Sequence, residues 1–492
     1  MTELRSGWQI TSTSEACGLV QSGGTPKAGF VASAGIPFLK VYNIVDQNIR
    51  FEYKPQFVTQ EVHEGELRKS KIRPGDVLMN IVGPPLGKVA IVPDTYPEWN
   101  ANQALTIFRP SAAVSTDWLY YFLCGGSSVQ SVINETRGSA GQVNISLSQC
   151  RSFEIPLPPP AEQQRIVAKI DSITGKARRA RDNLDHVPRL VEKYKQAILA
   201  AAFRGDLTRE WRAANHTLET AAQIVDRIDP PVQSRGGREA TTNIVPGIAG
   251  LSVNDPGTKA PEGWSWIGLR RIARQETGHT PSRSKSAYWN GGIPWIGIRD
   301  AGSHHGQVIH DTIQTISDEG LANSSARLLP AGTVCLSRTA SVGYVTVMGR
   351  PMATSQDFAT WTCTEALLPA YLMYALIAEG EHIREFGEGS THTTIYFPEI
   401  RALHICLAPL EEQREIVRRV ESSFAWIERL AAEATSARKL IDHLDQAVLA
   451  KALRGELVPQ DPTDEPVSAV LDRIRMERAA APKIKRGRTR ST

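Results

Sequence analysis

AEQQRIVAKIDSITGKARRARDNLDHVPRLVEKYKQAILAAAFR, running from Ala161 to Arg204, decides the architecture of this chain. Within it Ile166, Ile170, Ile173, Ala177, Ala180, Leu184, Val187, Val191, Tyr194, Ile198 and Ala201 follow one another at alternating steps of four and three. That spacing is the seam of a long helix packed along another helix. Adding 250 to each number gives Ile416, Val420, Ser423, Ile427, Leu430, Ala434, Ala437, Ile441, Leu444, Val448 and Lys451, so the seam recurs with two polar substitutions. Roughly 44 residues at about 1.5 Å each make a rod of about 65 Å. Pro188, opposite Arg438 in the repeat, predicts a bend or break in the first copy, because a mid-helix proline removes a hydrogen bond and clashes with the preceding turn.

The ends of the two helices fix the register. Pro159 and Pro409 precede them, and Glu162-Gln163-Gln164 matches Glu412-Gln413-Arg414; a proline before the first turn and a carboxylate within it suit the unpaired amides there. Phe203-Arg204-Gly205-Asp206-Leu207 matches Leu453-Arg454-Gly455-Glu456-Leu457, with Gly205 and Gly455 as left-handed caps. Beyond them Val225-Asp226-Arg227-Ile228 and Leu471-Asp472-Arg473-Ile474 predict a short trailing helix in each copy.

The segments before the helices repeat more loosely. Gly7-Trp8 answers Gly263-Trp264, Gly-Gly-Thr-Pro from Gly23 answers Gly-His-Thr-Pro from Gly278, and Gly35-Ile36-Pro37-Phe38 answers Gly292-Ile293-Pro294-Trp295. Pro74-Gly75-Asp76-Val77-Leu78 pairs with Ala331-Gly332-Thr333-Val334-Cys335, and Trp118–Leu123 with Tyr371–Leu376 as a buried helix. These are short strands between Gly and Pro turns. The turn skeleton persists while the polar residues between change, so two globules share a fold and differ in surface. The expected architecture is a mixed α/β chain with an internal pseudo-twofold repeat, the two globules separated by a long antiparallel two-helix coiled coil. Pairing about twenty aliphatic positions at roughly 1 to 2 kcal/mol each would hold it together.

The bulk properties are permissive. A chain of 492 residues, 41% hydrophobic and 22% charged, has room for several domains, and a net charge of +4 places any nucleic-acid surface in local clusters. Six cysteines without a CxxC pair argue against structural zinc and disulfides. No apolar signal core opens the chain and no 18-residue apolar run occurs, so a cytoplasmic protein without a membrane span is expected.

Pro261-Glu262-Gly263-Trp264, Trp289-Asn290-Gly291-Gly292-Ile293-Pro294-Trp295-Ile296, Leu336-Ser337-Arg338-Thr339 and Pro409-Leu410-Glu411-Glu412-Gln413-Arg414-Glu415-Ile416-Val417, with both Arg-Gly-[Asp/Glu]-Leu helix ends, resemble the specificity subunit of type I restriction-modification systems over nearly the whole chain. The resemblance implies a target recognition domain over 1–158, a spacer helix over 159–207, a short helix and linker over 208–260, a second recognition domain over 261–408, a spacer helix over 409–457, and a short helix with a basic tail over 458–492. Each recognition domain would read one half of a bipartite site in double-stranded DNA. Two modification subunits, binding S-adenosylmethionine and methylating adenine, would dock on the helix pair, and restriction subunits using ATP and magnesium would join them. This subunit would carry no cofactor, metal or catalytic residue.

The residues that could carry chemistry fit that expectation. Asp229-Pro230-Pro231-Val232 lacks the aromatic ring that an amino-methyltransferase needs against a flipped base. Gly83-Pro84-Pro85-Leu86-Gly87-Lys88 is one residue short of a phosphate loop and has Val89 where magnesium would need a hydroxyl. His304, His305 and His310 lack metal-ligand spacing. For DNA contact the candidates are basic and amide residues of the variable loops: Lys27, Lys40, Arg68, Lys69, Lys71, Arg73, Lys88, Gln142 and Asn144 in the first globule, and Arg283, Lys285, Arg299, Arg338, Thr339, Arg350, His392 and Thr393 in the second. Arginine grips guanine, amides grip adenine, and lysine meets phosphate. Arg338 is the favoured member of the set, and Arg178, Arg179 and Arg181 form a basic cluster beside the seam. Two other readings compete: a coiled-coil adaptor joining protein-binding globules, and a stand-alone methyltransferase or nuclease.

Overall fold

The computed structural model describes residues 5–135, 144–215, 219–234, 238–339, 341–387 and 394–480. Gln142, His392, Thr393 and the basic tail beyond 480 lie outside them. The chain divides into two compact units, one of residues 1–184 with 436–492 and one of 185–435.

In the first unit an antiparallel sheet runs in the order Val89–Ile91, Val77–Asn80, Leu105–Arg109, Leu19–Ser22. Its central strand is buried on both faces. Val77 and Met79 belong to one core cluster with Trp118, Phe122, Ile155, Ile166 and Ile170, while Leu78 belongs to another with Trp99, Ile107 and Phe51. Strand geometry sends alternate side chains to opposite faces, which is why a continuous apolar run suits this position. A second sheet contains Ile36–Leu39 parallel to Trp99–Ala101. Residues from the end of the chain complete the unit: the helix Val467–Ala480 adds Val467, Val470, Leu471 and Ile474 to the core. The Val467 amide donates to the Gly7 carbonyl at 3.2 Å.

The second unit repeats this plan. A sheet of Ala273–Thr277, Phe358–Cys363, Val334–Ser337, Val345–Met348 and Val308–Ile309 carries the buried helix Pro369–Ala378. A three-stranded sheet sets Trp289–Ile296 parallel to Ala353–Thr354. The helix Ala221–Arg227 packs into this core, and its Ala221 amide donates to the Gly263 carbonyl at 2.9 Å. The stretch expected as a plain linker is partly built in: Val245–Pro246 and Leu251–Val253 extend a sheet with Leu403–Leu407 and Ser265–Gly268. Glu379 holds that insertion, its buried carboxylate accepting from the amides of Ile248, Ala249 and Leu251.

The first long helix is two helices, Pro160–Asp185 and Val187–Phe203, interrupted at His186, with Pro188 in the first turn of the second piece. Proline costs nothing there, since a first-turn amide has no helical acceptor. The second long helix is unbroken from Leu410 to Leu453. Gly205 (φ +76°) and Gly455 (φ +73°) adopt the left-handed conformation that closes each helix. Within the first unit Arg165 pairs with Asp464 and Arg181 with Asp442 and Asp445. Within the second, Lys195 pairs with Glu428 and Arg212 with Glu412. In each unit rising numbers on one partner meet falling numbers on the other. Among the described residues no helix is long and apolar enough to cross a membrane.

Candidate nucleic-acid interface

In the second unit the loop after Ala273–Thr277 carries Arg283 and Lys285, both exposed, over an aromatic floor. The Arg283 guanidinium lies 5.4 Å from the Trp289 ring, and Lys285 reaches the Tyr288 hydroxyl at 3.0 Å. Trp289 and Trp295 meet edge to face at 5.3 Å, and the Trp295 indole donates to the His279 carbonyl. Beside this floor is a cleft of about 490 Å³ lined by Arg283, Arg299, Asp300, Gln314, Ser355 and Asp357. Basic groups interleaved with rings and amides are the chemistry that meets phosphates and bases.

A neighbouring cleft of about 730 Å³ holds Arg238, Arg327, Arg338, Arg401 and Tyr396. Arg338 is turned into the protein. Its guanidinium stacks on Phe397 at 4.4 Å and donates to the carbonyls of Gln356 at 3.1 Å and Ile395 at 3.5 Å. Its Nε makes no hydrogen bond among the described residues, and burial pulls the guanidinium below the usual arginine range. Arg338 therefore ties three loops together, and Thr339 adds a 2.8 Å bond to Asp357. Arg350 is exposed but paired with Asp311 and the His310 carbonyl.

In the first unit Lys27, Arg68, Lys69, Arg73 and Asn144 are exposed. Lys40 lies 5.6 Å from the Phe30 ring, and Lys88 donates to the Ile44 carbonyl at 3.3 Å. Lys71 is occupied: its ammonium meets Glu64 at 2.6 Å and Glu98 at 3.7 Å. Glu98 also accepts from buried His63 at 2.9 Å, a bond that holds its carboxyl below the usual range. His63, Glu64 and Glu98 were not linked by spacing in the sequence, yet their ligand atoms lie within 4.8 Å of one another. A cation there would have to displace Lys71, so the trio reads as an internally hydrogen-bonded network bridged by that ammonium. On the helices Arg181 is spent on Asp442 and Asp445, while Arg178 and Arg179 are exposed. Asp229-Pro230-Pro231-Val232 is irregular, with Val232 85% exposed.

The two globules carry two separate matches to one family model, described as the type I restriction modification DNA specificity domain, over residues 6–181 and 261–433. The chain belongs to that family. Among its relatives, the specificity subunit of the type I restriction enzyme EcoDI from Escherichia coli is 24% identical over 413 residues, spanning 80% of this chain and 83% of the relative. The StySPI specificity subunit from Salmonella potsdam is 26% identical over 389 residues, 76% of this chain and 74% of that one. The solved HsdS subunit from Thermoanaerobacter tengcongensis shares the fold with a TM-score of 0.61 at 20% identity, covering 92% of this chain and 98% of its own. Family membership accounts for the repeat, because each match ends within one of the two long helical segments.

Proposed function

We propose that this chain is the non-catalytic DNA sequence-specificity subunit of a type I restriction-modification complex, its two globules each reading one half of an asymmetric bipartite site. The observation that carries this reading is the doubled family match on globules with one skeleton and different loops. One skeleton gives both heads the same way of meeting a duplex, and different loops give them different sequences to read. The paired helices, running as an antiparallel coiled coil, act as the ruler between half-sites. Methylation then belongs to modification subunits carrying S-adenosylmethionine, and cleavage to restriction subunits carrying ATP and magnesium, acting on DNA in the cytoplasm.

The helix pairs also support two docking positions. Leu190 and Tyr194 in the second unit are 45% and 59% exposed, and Leu440 and Leu444, the residues 250 further on, are 68% and 44% exposed in the first. Large apolar side chains kept at equivalent exposed positions fit two copies of one partner. In the second unit Trp426 and Leu430 join them around an apolar cleft of about 710 Å³.

Methylome sequencing of cells carrying the chain with its cognate modification subunit tests the reading. The expected result is a protein-dependent bipartite motif with a fixed gap, modified at adenine on both strands. An active, assembled partner that yields no such motif would move the weight to a protein-binding adaptor.

A further inference from the structure

Gln103 and Gln356 are exposed polar residues that stand at one position in both globules. Each is the second residue of a turn. The Leu105 amide donates to the Asn102 carbonyl at 3.1 Å, and the Phe358 amide to the Ser355 carbonyl at 3.4 Å. The turn is seated alike in both: Asn102 donates to the Leu39 carbonyl and Ser355 to the Ile296 carbonyl, at 3.0 and 3.1 Å. The Gly-x-Thr-Pro loop presses on it from the other side, Gly24 donating to the Ala101 carbonyl and His279 to the Thr354 carbonyl, both at 2.9 Å. The approach is so close that a Cβ on Gly23 would come within 2.1 Å of the Asn102 carbonyl oxygen and one on Gly278 within 2.0 Å of that of Thr354.

Around this shared seat the polar residues differ: Asn102 against Ser355, Ala104 against Asp357, Lys27 against Ser282. The glutamine and the neighbouring threonine, Thr25 or Thr280, stay the same. In the second globule their relation is explicit, because the Thr280 hydroxyl donates to Gln356 Oε1 at 2.6 Å. That bond occupies the oxygen end and leaves the NH₂ end of this exposed side chain, two donors, for a ligand. Gln356 also stands between the two arginine-lined clefts, with Ser355 and Asp357 in one and Arg338, which binds its carbonyl, in the other. In the first globule the loop side of the seat is closed by Leu67 and Ser70, which lie against Gly24.

A residue that reads bases should differ between heads that read different sequences, whereas one that meets the sugar-phosphate backbone should not. Resting on the DNA-reading function above, we infer that Gln103 and Gln356 are the common phosphate contacts of the two recognition domains, each donating its carboxamide N–H to a phosphate oxygen and setting the angle at which its globule meets the duplex. The donor-only presentation of Gln356 suits phosphate, which only accepts.

The test uses the full chain assembled with its modification subunits, titrated with a duplex carrying the methylated motif and with an unrelated duplex of equal length. Q103A and Q356A should each weaken both duplexes by roughly tenfold, as expected for one hydrogen bond to a charged group. The modified motif and the thermal unfolding temperature should stay unchanged. The salt dependence should also stay unchanged, because a neutral amide releases no counterion. Q356E should bind more weakly than Q356A, with the difference shrinking at high salt, and T280V should fall between wild type and Q356A. An altered motif would make these residues base readers, and unaltered affinity would remove them from the interface; either overturns the inference. Failure of the wild-type complex to bind or modify DNA would instead overturn the function on which it rests.

Discussion

Glu162 and Glu412 hold the same place in the two repeats and are not equally served. Both are buried and both accept from a tryptophan indole, Trp8 at 3.0 Å and Trp264 at 2.8 Å. Glu412 also accepts from the Thr208 hydroxyl and from Arg212, each at 2.7 Å. The counterparts of those donors in the first unit are Val458 and Pro462. Gln460 stands nearby but gives its amide to the Ser6 carbonyl, and Glu162 Oε1 accepts no hydrogen bond among the described residues. Burial accordingly raises the Glu162 carboxyl above its usual range, with the Trp8 indole, the neighbouring Gln460 amide and the Arg165 charge only partly opposing it. A carboxyl raised on folding holds its proton more tightly in the native state, so it costs stability as pH rises through and above its titration range. V458T restores the missing donor and should stabilise the protein by about 1 kcal/mol at neutral pH. The gain should shrink on acidification below the carboxylate range, where Glu162 is protonated in any case. Unfolding curves of the two proteins at neutral and acidic pH check this; a gain independent of pH would mean the hydroxyl acts elsewhere.

A second residue-scale contrast lies at the edge of the main sheet. Asp76, 2% exposed, takes a bidentate pair from Arg109 at 2.7 and 2.8 Å. At the equivalent position of the second globule the Thr333 and Thr362 hydroxyls meet at 3.0 Å. One fold has solved the same contact with charge and without it. D76T alone should cost about 3 kcal/mol, near the lower end for breaking a buried ion pair because Arg109 is partly exposed. Adding R109T should recover most of that loss. A double-mutant cycle by denaturant unfolding measures the coupling, and simple additivity would sink the argument.

At the scale of elements, what the sequence displayed was local and periodic. The long helices, the glycine caps and the effect of Pro188 are all written within a few turns of helix. The seam, by contrast, is not closed along its length: Tyr194, Leu430 and Leu444, three of its positions, are 59%, 42% and 44% exposed. The globules' strands could be placed because Gly and Pro punctuate them, but their pairing could not, since Trp99–Ala101 lies parallel to Ile36–Leu39 across some 60 residues. The strands Val245–Pro246 and Leu251–Val253 sit in a segment whose Pro, Gly, Ser and Thr content reads as linker. What makes them strands is a distant edge and the Glu379 carboxylate. The interface candidates divide the same way. Exposed Arg283 and Lys285 were legible as loop cations, whereas Arg338 is absorbed by Phe397, far along the chain, and Lys71 by Glu64 and the more distant Glu98. Gln103 and Gln356 were passed over because a lone neutral side chain carries no motif. Only their identical seats in the two globules single them out.

At the scale of the whole molecule, the duplication makes a prediction about stoichiometry. Leu190 with Tyr194, and Leu440 with Leu444, leave apolar surface open on the helix pair of each unit, at positions related by the repeat. Carboxylates placed there would have to be desolvated to let a partner seat, a cost of several kcal/mol. On the chain alone they remain in water. L190E/Y194E and L440E/L444E should therefore each leave the isolated chain folded and reduce bound modification subunits from two to one, and the quadruple variant should bind none. Sedimentation or native mass measurement of the reconstituted complexes counts the subunits. If each double variant still took two, the partners would be seated elsewhere on the chain. Loss of both subunits from either variant alone would mean that they bind as one preformed pair and not as two independent copies.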